Sequence, residues 1–568
     1  MKVQQSSIKQ KDAINFVFLL FVIVAANFAT QNFFFRLDLT TEKRYTLSNS
    51  SKEMLENLDG VVFVKVYLDG ELNIPYKRFQ RSIRETLDEL KIYGKSRFQY
   101  EFIDPLDQPN AEAREKAIRD MARRGLQPTN IQYKSSDGAT TNKTVIPGAL
   151  IVYKEREIPL NLLENNTGKS GEENINNSIV NLEYKLINTI NSIAKERVPS
   201  VGFLKGHGEL PDEKIGDMMR SLYTGYRVER TTLDVAPIAI DSFDVLVVPK
   251  PSQRFSEKDK FTIDQYIMRG GKVIWLIDGV QVSHDSLAKG AAMAIPNDLN
   301  LQDMLFRYGV RINNELVEDV QCNYLPINVA LQGNAANFQP APWMYFPLVA
   351  MDNKSIITRN LNMVWLRYAS SIDLVGNNKG SKATPLLKSS PHTRNKKVPV
   401  VISLAETSEP PVQQQFVNGQ QLFGVLLEGT FESVFKNRMV AQFQQDDKME
   451  VLDISQSTQM VVIADGDIIE NHVRYTARGP AVTPLGYDRY TRQTFGNKEF
   501  LSNVIQYLTD DNNLMELKSK NYKIRILDRK KTSSDKLKWQ LINILTPIAY
   551  TIILLIVFFT WRKYRYTR

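Results

Sequence analysis

The strongest chemical promise in the sequence sits in Gly206-His-Gly-Glu209. An imidazole and a carboxylate two residues apart suit acid–base work or a metal, and the flanking glycines let the backbone turn sharply. A zinc deaminase carries a His-x-Glu of this kind but needs a downstream Pro-Cys-x-x-Cys, and this chain has one cysteine, Cys322. The loop is therefore read as a structural turn or a ligand-contact loop, with Gly206, His207, Gly208 and Glu209 as candidate ligand-binding residues. Thr167-Gly-Lys-Ser170 resembles the end of a phosphate-binding loop, whose backbone amides wrap phosphates only if a glycine stands five residues before the last one; that position is Leu163. If ATP is used, another chain supplies the ATPase. Cys322, in Asp319-Val-Gln-Cys-Asn-Tyr324, lacks a glycine-flanked elbow, and His284, His392 and His472 share no spacing with it, so it is read as a structural thiol. A Gly-x-Ser-x-Gly elbow is also missing. Asp278 and Asp465 each end an apolar strand, where binding residues often lie, but such an Asp is also ordinary turn chemistry. The expectation is a non-enzyme without catalytic residues, metal or cofactor.

The elements that position this loop run from Val198 to Gly279. Val201–Leu204, Tyr226–Leu233, Phe243–Pro249 and Lys272–Asp278 are strand-like runs. Asp212–Tyr223 carries apolar residues at helical spacing. A second helix starts at Ser256, capped with Asp259 three residues on, and ends at Gly270-Gly271. Continuous apolar strands alternating with helices predict a parallel sheet covered on both faces. The Gly206 loop would then lie at the switch point of a flavodoxin-like sheet, and the central fold resembles glutamine-amidotransferase-like domains.

Composition places these elements in a membrane-anchored chain. The 568 residues are 43% apolar and 24% charged, which is globular. Of the net charge of +9, residues 1–12 supply +2 and residues 561–568 supply +4, leaving +3 for the rest. Basic ends argue for membrane over nucleic acid, whose binders carry charge as a stripe on the folded domain. Ile14–Thr30 and Ile542–Thr560 are apolar and near the length that spans a bilayer core. Trp539 and Trp561 edge the second as an interfacial belt would, against the rival reading of a buried core helix. For the first the rival is a cleaved signal peptide, with Ala25, Ala26 and Ala29 as a cleavage site. A short basic tail before an apolar run favours cytoplasmic ends and an exported body, although basic residues flank both spans on both sides. Asn27 and Asn543 are candidate helix–helix hydrogen-bonding groups.

The organisation expected from these signals is a tail at 1–12, a transmembrane helix at 13–35 and a small thioredoxin-like α/β domain at 36–170. A linker helix at 171–197 leads to a central α/β domain at 198–510 with an irregular insertion near 321–350. A juxtamembrane link at 511–538, a transmembrane helix at 539–561 and a basic tail at 562–568 follow. The small domain lacks the Cys-x-x-Cys of redox chemistry, so its fold would be a scaffold. Asn161–Asn177 reads as loop, and Ile175–Ile193 as one amphipathic helix.

Several strings, taken together, resemble the GldG family of gliding-motility ABC-transporter auxiliary proteins. They include Leu37-Asp-Leu-Thr-Thr-Glu-Lys-Arg-Tyr-Thr-Leu-Ser48, Lys65-Val-Tyr-Leu-Asp-Gly70, Gly206-His-Gly-Glu209, Val247-Val-Pro-Lys-Pro251 and Asp264-Gln-Tyr-Ile-Met-Arg-Gly-Gly-Lys272. Leu386-Leu-Lys-Ser-Ser390, Ala464-Asp-Gly-Asp467 and Phe495-Gly-Asn-Lys-Glu-Phe-Leu501 extend the likeness over nearly the whole chain. The resemblance implies a largely periplasmic subunit anchored in the bacterial inner membrane. It would work with a separate ABC permease and a separate ABC ATPase, touch membrane lipid but no nucleic acid, and possess an unidentified ligand at most. It supplies no active-site residues to carry over.

Overall fold

The computed structural model describes residues 14–24, 47–134, 140–164, 170–195, 197–223, 225–233, 237–328, 337–352, 354–359, 361–376, 380–408, 411–438, 450–476, 479–510 and 535–566. They form a mixed α/β protein that divides into two compact units, Met1–Lys520 and Asn521–Arg568. In the second unit, the helix Lys536–Tyr566 is apolar over Lys536–Tyr564 and long enough to cross a membrane. Pro547 lies inside it, and the Thr551 hydroxyl donates to the Pro547 carbonyl at 2.9 Å. Ile14–Val24 is a shorter apolar helix. The rest of the expected 13–35 span, Asn27 included, lies outside the described residues, as does most of the 511–538 link.

The first unit begins with a four-stranded sheet. β1 (Val62–Val66) pairs in parallel with β2 (Phe98–Phe102) through the crossover helix α1 (Ile74–Gly94). That helix forms because Asn73 caps it, accepting from the Tyr76 amide, and because Phe79, Ile83, Leu87 and Leu90 fall on one buried face. On the other side of β1 lies antiparallel β3 (Gly148–Tyr153), followed by β4 (Arg156–Asn161), giving the order β2-β1-β3-β4. A separate hairpin, Thr129–Lys134 with Thr140–Val145, was not expected from the sequence.

Two helices, not one, connect this sheet to the next. α2 (Gly171–Val180) starts at Ser170, whose hydroxyl and Glu173 form a reciprocal capping box. Residues 171–177, where the expected linker helix at 171–197 overlaps the stretch Asn161–Asn177 read as loop, are therefore helical. Asn181 leaves helical geometry at φ −93°, ψ 2° and separates α2 from α3 (Leu182–Ala194). α3 holds the chain at two distant places. Glu183 accepts from the Ser48 amide at 2.8 Å, and Tyr184 and Asn188 both hydrogen-bond Gln506.

The central sheet has seven strands. β5 (Ser200–Leu204), β6 (Arg227–Thr231), β7 (Val245–Pro249) and β8 (Lys272–Leu276) are followed by β9 (Ser381–Lys388), β10 (Leu422–Gly429) and β11 (Thr458–Ile463). The order is β9-β10-β11-β8-β7-β5-β6. Five neighbours, β6-β5-β7-β8-β11, are parallel; β10 adds an antiparallel strand at one edge, and β9 pairs antiparallel with β10. Numbered by sequence, the parallel part reads 2-1-3-4-5, a doubly wound order whose direction reverses between β5 and β7. Side chains alternate between two cores. Val245, Val247, Ile274, Leu276, Val461 and Ile463 face one, with α4 (Asp212–Leu222) over them. Leu246, Val248, Val273, Trp275, Met460 and Val462 face the other, under α5 (Glu257–Met268) and α6 (Gln302–Tyr308). This explains the unbroken apolar runs in the sequence. The last helix among the described residues of the unit, α7 (Asn497–Leu508), covers the first core.

The expected irregular insertion at 321–350 is a correction. Cys322–Asn328 and Phe338–Val349 form a long antiparallel hairpin with Asn328 opposite Phe338. Four prolines, Pro326, Pro340, Pro342 and Pro347, stand in these strands and break the alternation that announces a strand. The end of the hairpin pairs with a two-residue strand, Val364–Trp365.

Candidate functional site

The carboxyl ends of the parallel strands carry two charged constellations. The first is the loop after β5. Gly208 adopts φ +71°, and a side chain there would meet the Ser252 hydroxyl at 2.2 Å, so this turn requires glycine. The loop is fastened to the one after β7: the Ser252 and Gln253 amides donate to the His207 carbonyl, and the Ser252 hydroxyl donates to the Gly208 carbonyl. The His207 ring stacks on Phe255 at 3.9 Å and 6°. Its Nε2 lies 3.2 Å from Asp259 and its Nδ1 lies 3.4 Å from Glu209. Asp259 also completes the capping box of Ser256 at the start of α5. Burial alone would keep this imidazole neutral, but the two flanking carboxylates outweigh it and raise its pKa to about 9. They are themselves held below the usual carboxylate range by the imidazolium, against burial. An imidazolium with a carboxylate at each nitrogen has no free base to offer; it clamps β5, the β7 loop and α5 together. Gly206 and Gly208 are the exposed residues of the loop, beside their exposed neighbour Lys205.

The second constellation was only half visible in the sequence. Asp278 follows β8, Asp465 and Asp467 follow β11, and Lys250 follows β7. The three aspartates bring one oxygen each within 4.8 Å of one another, a spacing that a cation could bridge. The cations that do so belong to the protein. The Lys250 ammonium reaches Asp467 and lies 3.4 Å from Asp278. The Arg367 guanidinium lies 3.3 Å from Asp467 and 2.8 Å from Glu470. Backbone amides complete the set: Gly466 donates to Asp278 at 2.5 Å, Asp467 to Asp465 at 2.7 Å and Arg367 to Asp465 at 2.6 Å. Gly466 has no room for a side chain, since Lys250 Cβ would lie 2.6 Å away. Burial raises Asp278 and Asp465, the latter strongly, whereas the Arg367 and Lys250 charges overcome burial at Asp467 and hold it far below the usual range.

The remaining sequence candidates stay apart from both groups. Ser170 is a helix cap, and residues 165–169 lie outside the described region. Cys322 sits in the long hairpin, and burial pushes its thiol up to about 11, as suits an inert residue. His472 borders the second constellation through a recess of about 10 Å³, room for one water, and burial keeps it neutral. Arg367, Lys250 and Asp467 were missed because nothing local marks them: they meet across more than two hundred residues. Only the strand-ending positions of Asp278 and Asp465 pointed there.

The body is a doubly wound α/β fold whose carboxyl edge holds ion-paired side chains, and the second unit contains an apolar helix of membrane-crossing length. A family model described as an ABC-type uncharacterized transport system matches residues 198–504, more than half of the chain. The chain belongs to this ABC-transport auxiliary family. A second model, a domain of unknown function (DUF7088), matches residues 41–152. No curated protein matches the sequence. Among solved structures the mmIFT52 N-terminal domain is similar at 11% identity and a TM-score of 0.31, covering 55% of this chain and 98% of that one; a score this low carries no functional argument.

Proposed function

We propose that this protein is a non-catalytic, membrane-anchored accessory subunit of an ABC-type transporter that serves gliding motility. The observation that carries the reading is the family match over 198–504 in a chain that ends in a helix of membrane-crossing length. The body would stand on the periplasmic side of the inner membrane, with thioredoxin-like and flavodoxin-like or glutamine-amidotransferase-like parts used as scaffolds. ATP hydrolysis in a separate ATPase moves a separate permease, and spans of this chain packed against the permease re-orient the body. Such coupling needs two states whose balance the nucleotide biases. The internal pairing of His207, Glu209 and the aspartate cluster supports a scaffold over an enzyme, because no unengaged base stands beside a nucleophile there. The test is affinity purification of the tagged protein from solubilised native membranes, followed by mass spectrometry. An ABC ATPase and a multi-span permease in fixed ratio are expected, and removal of residues 536–568 should release them. Unchanged co-purification after that truncation defeats the coupling reading.

A second reading rests on the exposed Gly206 at the sheet's reversal point. There the Gly206–Glu209 loop contacts a small molecule or glycan, with Gly206 and Gly208 facing the ligand and His207 and Glu209 bracing the loop from within. Thermal stabilisation of the purified protein by cell-envelope metabolites is then expected, and none at millimolar ligand removes it.

A further inference from the structure

The aspartate cluster poses a problem of charge. From β8 comes Asp278; from the turn after β11 come Asp465, Asp467 and Glu470. From β7 comes Lys250, from the segment after Val364–Trp365 comes Arg367, and from α4 comes Lys214, which reaches Glu470 at 2.8 Å. Tyr368 and His472 also face the group; burial raises the first and keeps the second neutral, so neither adds charge at neutral pH. Lys214 answers Glu470, and Lys250 and Arg367 answer two of the three aspartates. One carboxylate is left over in a place without solvent, as Asp465 is 0% and Asp467 5% exposed. A buried, unanswered carboxylate is costly and is avoided by binding a proton. Asp465 is the candidate on geometry. Its two oxygens meet only backbone amides, those of Asp467 and Arg367, whereas Asp278 and Asp467 both face the Lys250 ammonium.

We propose that Asp465 carries a resident proton at neutral pH, so that the carboxyl edge of the sheet is a proton-dependent latch. The proton forms the O–H of the Asp465 carboxyl group, which stands within 4.8 Å of the Asp278 and Asp467 oxygens; its loss leaves the buried cluster with one carboxylate more than it has cations. The Ala464–Glu470 turn and the segment at Arg367, both hung on Asp465, then loosen together. The amide of Ser370 donates to the Ala464 carbonyl, so this loosening reaches the strand end directly. The inference is independent of the transporter reading, because it concerns the folded body alone.

The test uses the full-length protein in detergent micelles. Infrared spectra with isotopically labelled aspartate should show a protonated carboxyl band at pH 7 that Asp465→Asn removes and Glu470→Gln leaves. Hydrogen exchange of amides 464–471 and 366–370, corrected for intrinsic rates, should accelerate with alkaline pH in the wild type and not in Asp465→Asn. If no protonated aspartate is seen in the wild type at pH 7, the latch is wrong whatever the variants do. If the band is present but survives Asp465→Asn, the proton resides elsewhere and the assignment falls. Should Asp465→Asn fail to fold, the wild-type spectrum and exchange profile decide alone.

Discussion

Replacing His207 by glutamine tests the loop clamp. The side chain keeps hydrogen-bonding capacity but carries no charge, so Asp259 and Glu209 lose their shared cation. The imidazolium pKa of about 9, against an ordinary value of 6.5, is a rise of between two and three units. At about 1.4 kcal/mol per tenfold change in proton affinity, the charged clamp contributes at most roughly 3 kcal/mol to folding, less what solvent screens at the partly exposed Asp259. A raised basic pKa means that this contribution is complete below pH 6.5 and is lost as pH rises through about 9. The assay is chemical unfolding of wild type and His207→Gln across pH 6 to 10, reading the difference at each pH so that other titrating groups cancel. The gap should be widest near pH 6 and mostly gone by pH 10, leaving the lost stacking on Phe255. Histidine NMR can follow the same titration, since the chain has 4 histidines. A gap that stays constant with pH refutes the clamp, because only the charge can make it close.

Asp264, fully buried in α5, accepts from the Tyr308 hydroxyl, the Ser433 hydroxyl and the Val434 amide. Asp264→Ala strands three donors and should cost at least ~3 kcal/mol in unfolding experiments, with Asp264→Asn milder. Lys250→Met leaves Asp278 and Asp467 short of a cation and should cost about 3–5 kcal/mol at pH 7. The unpaired carboxylates then have raised pKa values, so part of the loss should return as pH falls to 5, an outcome that unfolding at both pH values reads. Trp275 is 0% exposed between β8 and α5, and Trp275→Ala should cost about 3–5 kcal/mol through its cavity, independent of pH. Truncation before Lys536 should shift the protein toward the soluble fraction on cell fractionation, and by more than truncation of residues 1–24 if the longer helix is the main anchor.

Much of the fold was legible where the signal is local. Ser256 with Asp259 announced the start of α5, and the run Phe243–Pro249 announced a strand buried on both faces. Ser170 with Glu173 is an equally clear cap, masked in the sequence by the phosphate-loop likeness of Thr167–Ser170. The 322–349 hairpin was illegible because its prolines and amides erase the two-residue period, and pairing across the strands supplies what local propensity does not. The His207 loop was visible as a motif, but its partner Asp259 was read only as a cap; one carboxylate serves both purposes. The aspartate cluster was half legible, through Asp278 and Asp465 at the ends of apolar strands. Lys250, Arg367 and Asp467 are each unremarkable in their own stretch, and only the order of strands in the sheet makes them neighbours.

The double grip of α3 on Ser48 and Gln506 bears on how tension would travel. If the chain is drawn from before residue 48 and after residue 509, the load passes from one lead to the other across a single helix and its polar contacts. The seven-stranded sheet is tied to the second lead as well, because the Lys272 ammonium of β8 donates to the Leu508 carbonyl and Tyr226 hydrogen-bonds Thr509. Weakening the polar side chains on α3 would then free the lead at Ser48 from α7 while the sheet stays fastened to the lead after residue 509.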